Sequence, residues 1–389
     1  GTFRRGFKGV ADRWGPTKHL DRLLVWWDKD LIQRPRLVEA YELSDDATTW
    51  TFHLRPGTKW SDGAPVTTAD VIWWWENYAT NTDIFPGGAG NNWVSGEDRI
   101  PMEVEAVDDY TFTFTYAEPK PLLILSLGRG WDAVLMPGHY LSQFHIDLTE
   151  DTDALQALVE EAGFNAWNEY FTDRNFWYMN PDRPTLGGWV AKNALSEELF
   201  VMERNPYFFA VDAEGQQLPY VDGINHRIFE TNDVFDLRII NGEVDFQARH
   251  VNLANFTLYK ENEEAGEYQM FVGKSSGHPA IQLNLTVQDE NLRAFFNERD
   301  VRIALSIAVD RDAINELVYD GLMTPRQYSP IGLSPQAYPK QAEAYIQYDP
   351  EEANRLLDEA GYSEKNGDGI RVWPGTDEVI SFVIEGIDQ

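Results

Sequence analysis

No cysteine occurs anywhere in the 389 residues of this chain. The fold must therefore be held by packing and hydrogen bonding without disulfides. Thiolate catalysis, iron–sulfur clusters and cysteine zinc sites are excluded with them. The longest apolar runs, residues 121–127 and 303–309, fall well short of the ~18 residues that span a bilayer and read as core segments. What remains for building the core is strongly aromatic, with 14 Trp, 17 Tyr and 21 Phe. Such side chains fill cores first, and they also line small-molecule clefts. The length accommodates two or three domains of ordinary size. A chain that starts at Gly1 rather than Met, and lacks cysteine, suits an exported protein whose signal peptide has been removed.

Charge excludes a further class. Acidic residues number 64 against 32 basic ones, for a formal net charge of −32. Such a surface repels phosphate backbones, and no local basic face appears in the sequence, so no nucleic-acid partner is expected. Apolar residues at 43% and charged residues at 25% are those of a globular chain rather than a disordered one.

Periodicity predicts interspersed strands and helices, hence an α/β or α+β class. Strands are expected at 2–8, 49–54, 200–204, 227–230, 268–272 and 280–285, with a hairpin pairing 104–107 and 110–116 across Asp108-Asp109. Phe112 and Phe114 would share one face of it. A helix should start at Thr67 or Thr68, capped by a hydroxyl, with Asp70 at the positive end of its dipole. Trp73, Trp74 and Trp75 on that helix cannot share a face, because neighbours are ~100° apart, so they are read as packing, with at least one in the core and one exposed or at an interface. Helices are also expected at 151–162, ended by Gly163, at 235–240 and at 350–360, where Pro350 opens and Gly361 follows the end. A single amphipathic helix is predicted over 301–317.

Catalytic motifs are missing. Gly273-Lys274-Ser275 resembles the end of a phosphate loop, but Tyr268 stands where the first glycine belongs, so the stretch reads as a turn. Asn366-Gly367-Asp368-Gly369 suggests part of a calcium loop, yet its twelfth position would be Gly375 where a bidentate Glu is needed, so a hairpin turn is the better reading. His139 and His145 lack the one-turn spacing that puts two imidazoles on one metal. No nucleophile elbow or dinucleotide glycine pattern occurs, and paired carboxylates mean little among 64 acids. The chain reads as a binder that needs no cofactor and no metal.

Longer motifs point to one family. Residues 37–46, then Trp50-Thr51-Phe52-His53-Leu54-Arg55-Pro56-Gly57, then Trp60-Ser61-Asp62-Gly63-Ala64-Pro65-Val66-Thr67-Thr68-Ala69-Asp70-Val71, form its most specific stretch. Asn205-Pro206-Tyr207, Leu218-Pro219-Tyr220-Val221-Asp222, Asn241-Gly242-Glu243-Val244-Asp245, residues 299–311 and residues 348–361 follow in the family's order. The sequence resembles the family 5 extracellular solute-binding proteins of bacterial ABC importers, the oligopeptide, dipeptide and nickel binders, over nearly all its length.

That resemblance implies an α/β, periplasmic-binding-protein-like class II clamshell with an extra lobe, the three-lobed family 5 type, whose C-terminal part is absent here. The first lobe would take 1–44 and 185–268, an inserted second lobe 45–184, and an incomplete third lobe 269–389. Ligand would sit between the first and third lobes and be captured by hinge closure near 268–272. The expected role is extracytoplasmic, in the periplasm or as a lipoprotein on the outer face of the membrane. The protein would act as a monomer that delivers an oligopeptide or an oligosaccharide to permease subunits. Ligand-binding candidates are Trp14, Trp131, Ser275, Gly277 and His278. Fourteen tryptophans, and third-lobe stretches such as 282–286, 315–319 and 321–327 that look closer to sugar-binding relatives, favour an oligosaccharide, while the family at large favours peptides. The rivals are a carbohydrate-active enzyme and a non-transport sensor on the same fold.

Overall fold

The computed structural model describes residues 1–17, 23–128, 134–273, 280–330, 332 and 334–386. The chain divides into two compact units, residues 1–251 with 262–268, and residues 252–261 with 269–389.

The first unit contains two four-stranded sheets. In one, Thr49–Leu54 alternates strictly, burying Trp50, Phe52 and Leu54 on one face. It pairs antiparallel with Val38–Leu43 and with Thr111–Thr115, and Glu103–Ala106 closes the far side. Register sets Phe52 opposite Phe112 and Trp50 opposite Phe114, so the pleat itself stacks the aromatics, with Phe52 and Phe112 centroids 5.2 Å apart. The predicted hairpin and its Phe112/Phe114 face are present.

Over this sheet runs the helix Thr68–Trp74. Thr67 caps it through the Ala69 amide, and the Asp70 side chain returns to the Thr67 amide as a capping box. Trp74 is buried edge-on to Trp93, Trp75 packs against the same core, and Trp73 stacks on Phe171 while donating to Ser142 Oγ at 2.9 Å. The tryptophan run is packing, as read, but none of the three is exposed.

In the second sheet Thr2–Phe7 lies parallel to Gly223–Ile228, followed by Leu199–Arg204 and Trp189–Ala191 in antiparallel order. The second of these strands was expected at 227–230 and begins four residues earlier, at Gly223. The reason is His226, which is buried with its ring 6.5 Å from Phe7 and 5.9 Å from Phe200. A core histidine between exposed Arg227 and half-exposed Asn225 conceals the alternation that marks a strand. Phe7, Phe200, Met202 and Ile224 complete that core face. On the opposite face the helix Asn232–Ile240 packs at one end, and a Cβ on Gly6 would lie 2.4 Å from the Phe235 ring, so only glycine fits there.

The second unit is mainly helical in its described residues. The expected helix over 301–317 is two helices, Arg299–Ile307 and Arg311–Tyr319. The chain breaks at 308–310 because Asp310 caps the second helix, its carboxylate accepting from the Ala313 amide. A shared apolar tendency on both sides of the break disguised it. Pro350–Glu359 forms as predicted, with Gly361 at φ 95°, and its Ala353 meets Ala304 and Ile307 in a small-residue contact. Asn366–Gly369 is a hairpin turn, with the Asn366 amide bonded to the Ile370 carbonyl at 2.8 Å. The strands expected at 268–272 and 280–285 are not formed among the described residues. Their β-branched and aromatic content is real, but a strand needs a ladder partner, and Phe271 and Ile281 are left largely exposed.

Candidate functional site

After Thr2–Phe7, Gly9 at φ 96° turns the chain through a single 3-10 turn, Val10–Asp12, into the short helix Trp14–Thr17. A positive φ of that size is open to glycine and strained for other residues. Trp14, the first of the predicted binding residues, opens this helix at 36% exposure, with the Arg13 guanidinium 4.9 Å from its ring centre.

Two residues before it stands a charged anchor. Asp12 is buried at 6% exposure, and its carboxylate accepts from the Lys8 amide at 3.0 Å, from His250 Nε2 at 2.6 Å and from Arg249 Nε. Burial alone pushes the Asp12 carboxyl up. The hydrogen bonds from Arg249, His250 and the Lys8 amide more than offset this and leave it below the usual carboxylate range.

Arg249 and His250 belong to a strap, residues 245–251, that runs along the Thr2–Phe7 strand. The Asp245 amide donates to the Arg4 carbonyl at 3.0 Å, and the Asp245 carboxylate takes both the Arg4 amide at 2.7 Å and its guanidinium at 2.6 Å. Gln247 Nε2 donates to the Gly6 carbonyl at 3.2 Å, and Phe246 stacks on Phe3. The Asn241-Gly242-Glu243-Val244-Asp245 motif thus starts this strap. Gly242 takes φ 69° and comes so close to Gly266 that a Cβ would sit 2.5 Å from its carbonyl oxygen.

Asp12, Arg249 and His250 were not singled out from the sequence, since Asp12 and its two side-chain partners are more than 230 positions apart and no local pattern links them. The remaining candidates, Trp131, Ser275, Gly277 and His278, lie outside the described residues.

The most specific motif of the sequence is structural. Trp60 is 2% exposed and donates its indole N–H to Asp70 Oδ2 at 3.2 Å, the same oxygen that receives the Thr67 amide at 3.0 Å. His139 Nε2 meets Asp62 at 2.8 Å beside the Trp60 ring. Burial raises the Asp70 carboxyl to about 6, against the lowering effect of those two hydrogen bonds. His145, the other histidine considered for a metal, is 1% exposed, within hydrogen-bond reach of Asn81 and of the Asn77 carbonyl. Among the described residues no group of three or more His, Asp or Glu could hold a metal ion.

This frame has known counterparts. The profile of the bacterial extracellular solute-binding proteins, family 5 middle, matches residues 33–386. A periplasmic alpha-galactoside-binding protein of Rhizobium meliloti (strain 1021) is 26% identical over 358 residues, covering 89% of this chain and 48% of its own length. The periplasmic oligopeptide-binding protein OppA of Salmonella typhimurium (strain LT2) is 27% identical over 343 residues, covering 85% and 55%. A solved oligopeptide-binding protein OppA superposes with a TM-score of 0.75 at 37% identity, covering 96% of this chain and 59% of that one. MelB of Agrobacterium fabrum C58, solved with stachyose, shares the fold at TM-score 0.64 and 22% identity, over 96% of this chain and 57% of its own. The chain thus spans about half the length of the curated relatives it matches.

Proteins of this family are extracytoplasmic solute binders rather than enzymes, which removes the carbohydrate-active enzyme as a rival. No helix among the described residues is long and apolar enough to cross a membrane. The matched profile, the OppA likeness and the mixed α/β architecture together make this chain a member of the family 5 bacterial extracellular solute-binding proteins, with their periplasmic-binding-protein fold.

Proposed function

We propose that this chain is the main part of the extracytoplasmic binding component of an ABC importer, and that its solute is an oligopeptide. It works as a monomer, with or without a lipid anchor, and hands its solute to permease subunits. Capture follows the hinge-closure scheme of such binders, in which a ligand favours the closed state only through contacts made better there.

One observation carries the peptide reading: the likeness to an OppA is 37% in sequence over 96% of the chain. A second supports it by weakening the compositional case for sugar. Half of the fourteen tryptophans are core residues (Trp50, Trp60, Trp74, Trp93, Trp177, Trp189 and Trp373). Trp14 has the Arg13 guanidinium over its ring, which suits a peptide carbonyl or carboxylate at least as well as a pyranose ring. The alpha-galactoside-binding relative keeps an oligosaccharide as the second reading.

Trp14 forms the first-lobe contact, with Asp12 as its anchor, and Trp131, Ser275, Gly277 and His278 remain candidates for further contacts. Calorimetry of the full-length protein against mixed short peptides and against α-galactosides of the raffinose series tests this. Peptide heats that fall away in Trp14→Ala are expected. Saturable sugar binding without any peptide response overturns the peptide reading, and unchanged peptide affinity in a folded Trp14→Ala removes Trp14 from the site.

A further inference from the structure

Strand register places Arg4 beside Asn225, and Gly6 beside Arg227, on the face of the Thr2–Phe7 sheet that points away from its aromatic core. There the Phe235 ring of the helix Asn232–Ile240 packs onto Gly6, and a cavity of about 270 Å³ opens beside them. Its apolar lining comes from Leu199 and Val244, with the buried Phe235 ring behind them, and three arginine side chains flank it, Arg4, Arg227 and Arg238, against one carboxylate, Glu243. We propose that this cavity is a binding site for a small organic acid, a carboxylate carried on an apolar body of about one ring.

Charge makes the cluster unusual. The chain carries 64 acidic side chains, yet neither Arg227 nor Arg238 forms an ion pair among the described residues. Arg238 spends one N–H on the Ile228 carbonyl at 3.0 Å, which fixes its guanidinium at the cavity. Arg4 is neutralised by Asp245, so it shapes the wall more than it attracts.

A net charge of −32 repels anions at long range, so an anion is held only where such a local excess exists. Guanidinium forks match carboxylates in two parallel hydrogen bonds, and the Leu199 and Val244 surfaces reward an apolar body that inorganic anions lack. All the residues concerned lie in the first unit, and the site is separate from Trp14, so its fate is independent of the importer reading.

The test titrates the 389-residue chain at low ionic strength with benzoate, with benzyl alcohol as an uncharged counterpart and with inorganic phosphate. Calorimetry reads affinity, and circular dichroism checks that Arg227→Gln and Arg227→Lys stay folded. Saturable benzoate binding that weakens about tenfold or more in Arg227→Gln is expected, with Arg227→Lys between, since a charge-assisted bond has roughly that effect. Rising salt should weaken it as well. Benzyl alcohol binding as well as benzoate, phosphate binding as well as benzoate, unchanged affinity in a folded Arg227→Gln, or no saturable benzoate binding in the millimolar range would each overturn the proposal.

Discussion

Replacing Asp70 with Asn should flatten the pH dependence of stability between about pH 4 and pH 6. Asp70 is 8% exposed beneath the Trp60 indole, and its carboxyl lies at about 6 in the folded protein against an ordinary 3.8. A raised carboxyl means that the folded state holds its proton where the unfolded state has lost it. Well below pH 3.8 both states are protonated and the group costs nothing. Stability then falls as pH rises, and above about pH 6 the full cost is present. The gap between about 6 and 3.8 corresponds to about 3 kcal/mol at 1.36 kcal/mol per pH unit.

Asn keeps an oxygen for both the Trp60 N–H and the Thr67 amide, so the cap and the indole contact survive. Its amide nitrogen replaces the second carboxylate oxygen and has to find an acceptor, at a cost of about 1–2 kcal/mol at every pH. The informative quantity is therefore the double difference, wild type minus Asp70→Asn at pH 7 against the same at pH 4.5. Urea unfolding measures it, and other titrating groups common to both proteins cancel. A double difference of about 2 kcal/mol in the expected direction supports the burial argument. Parallel pH profiles for the two proteins would refute it.

Trp60→Phe removes one of the two hydrogen bonds that hold the Asp70 carboxyl down, so its titration, followed by carboxyl carbon NMR, should move further up; an unchanged value contradicts the assigned bond. Asp12→Ala leaves the Arg249 and His250 side chains without their shared acceptor and should cost about 2–3 kcal/mol, with faster amide exchange over 245–251. Because the Asp12 carboxyl is lowered, its stabilisation is present above the ordinary carboxylate range and fades as pH falls through the lowered value. Wild type and Asp12→Ala should therefore converge in acid. Gly242→Ala sets a Cβ 2.5 Å from a backbone oxygen at a positive φ, and a loss of about 2 kcal/mol or more in the denaturation midpoint is expected. Phe112→Ala empties a fully buried position against Phe52 and should cost about 3–5 kcal/mol by the same assay.

What the sequence determined by itself was whatever depends on neighbours within one turn or one pleat. Thr67 with Asp70 three residues on, the alternation of Thr49–Leu54, the paired Phe112 and Phe114, and Pro350 with Gly361 carry their structure in local spacing. Family membership was legible for a related reason. The motif around Trp60 and Asp70 is a tightly spaced buried contact, and such contacts leave a recognisable string of residues.

Tertiary structure decided the rest. The strand at Gly223–Ile228 is defined by its parallel partner Thr2–Phe7 more than 200 residues away, and its buried His226 defeats an apolar count. The stretches at 268–272 and 280–285 had strand composition, but a ladder is a property of two segments, and neither is paired among the described residues. The Asp12 anchor two residues before Trp14 and the arginines around the cavity beside Gly6 come together only because chain folding brings residues 225–250 against residues 4–12. Charge pairing and cavities act through space, and no periodicity along a chain encodes the distance between a carboxylate and a guanidinium 237 positions apart.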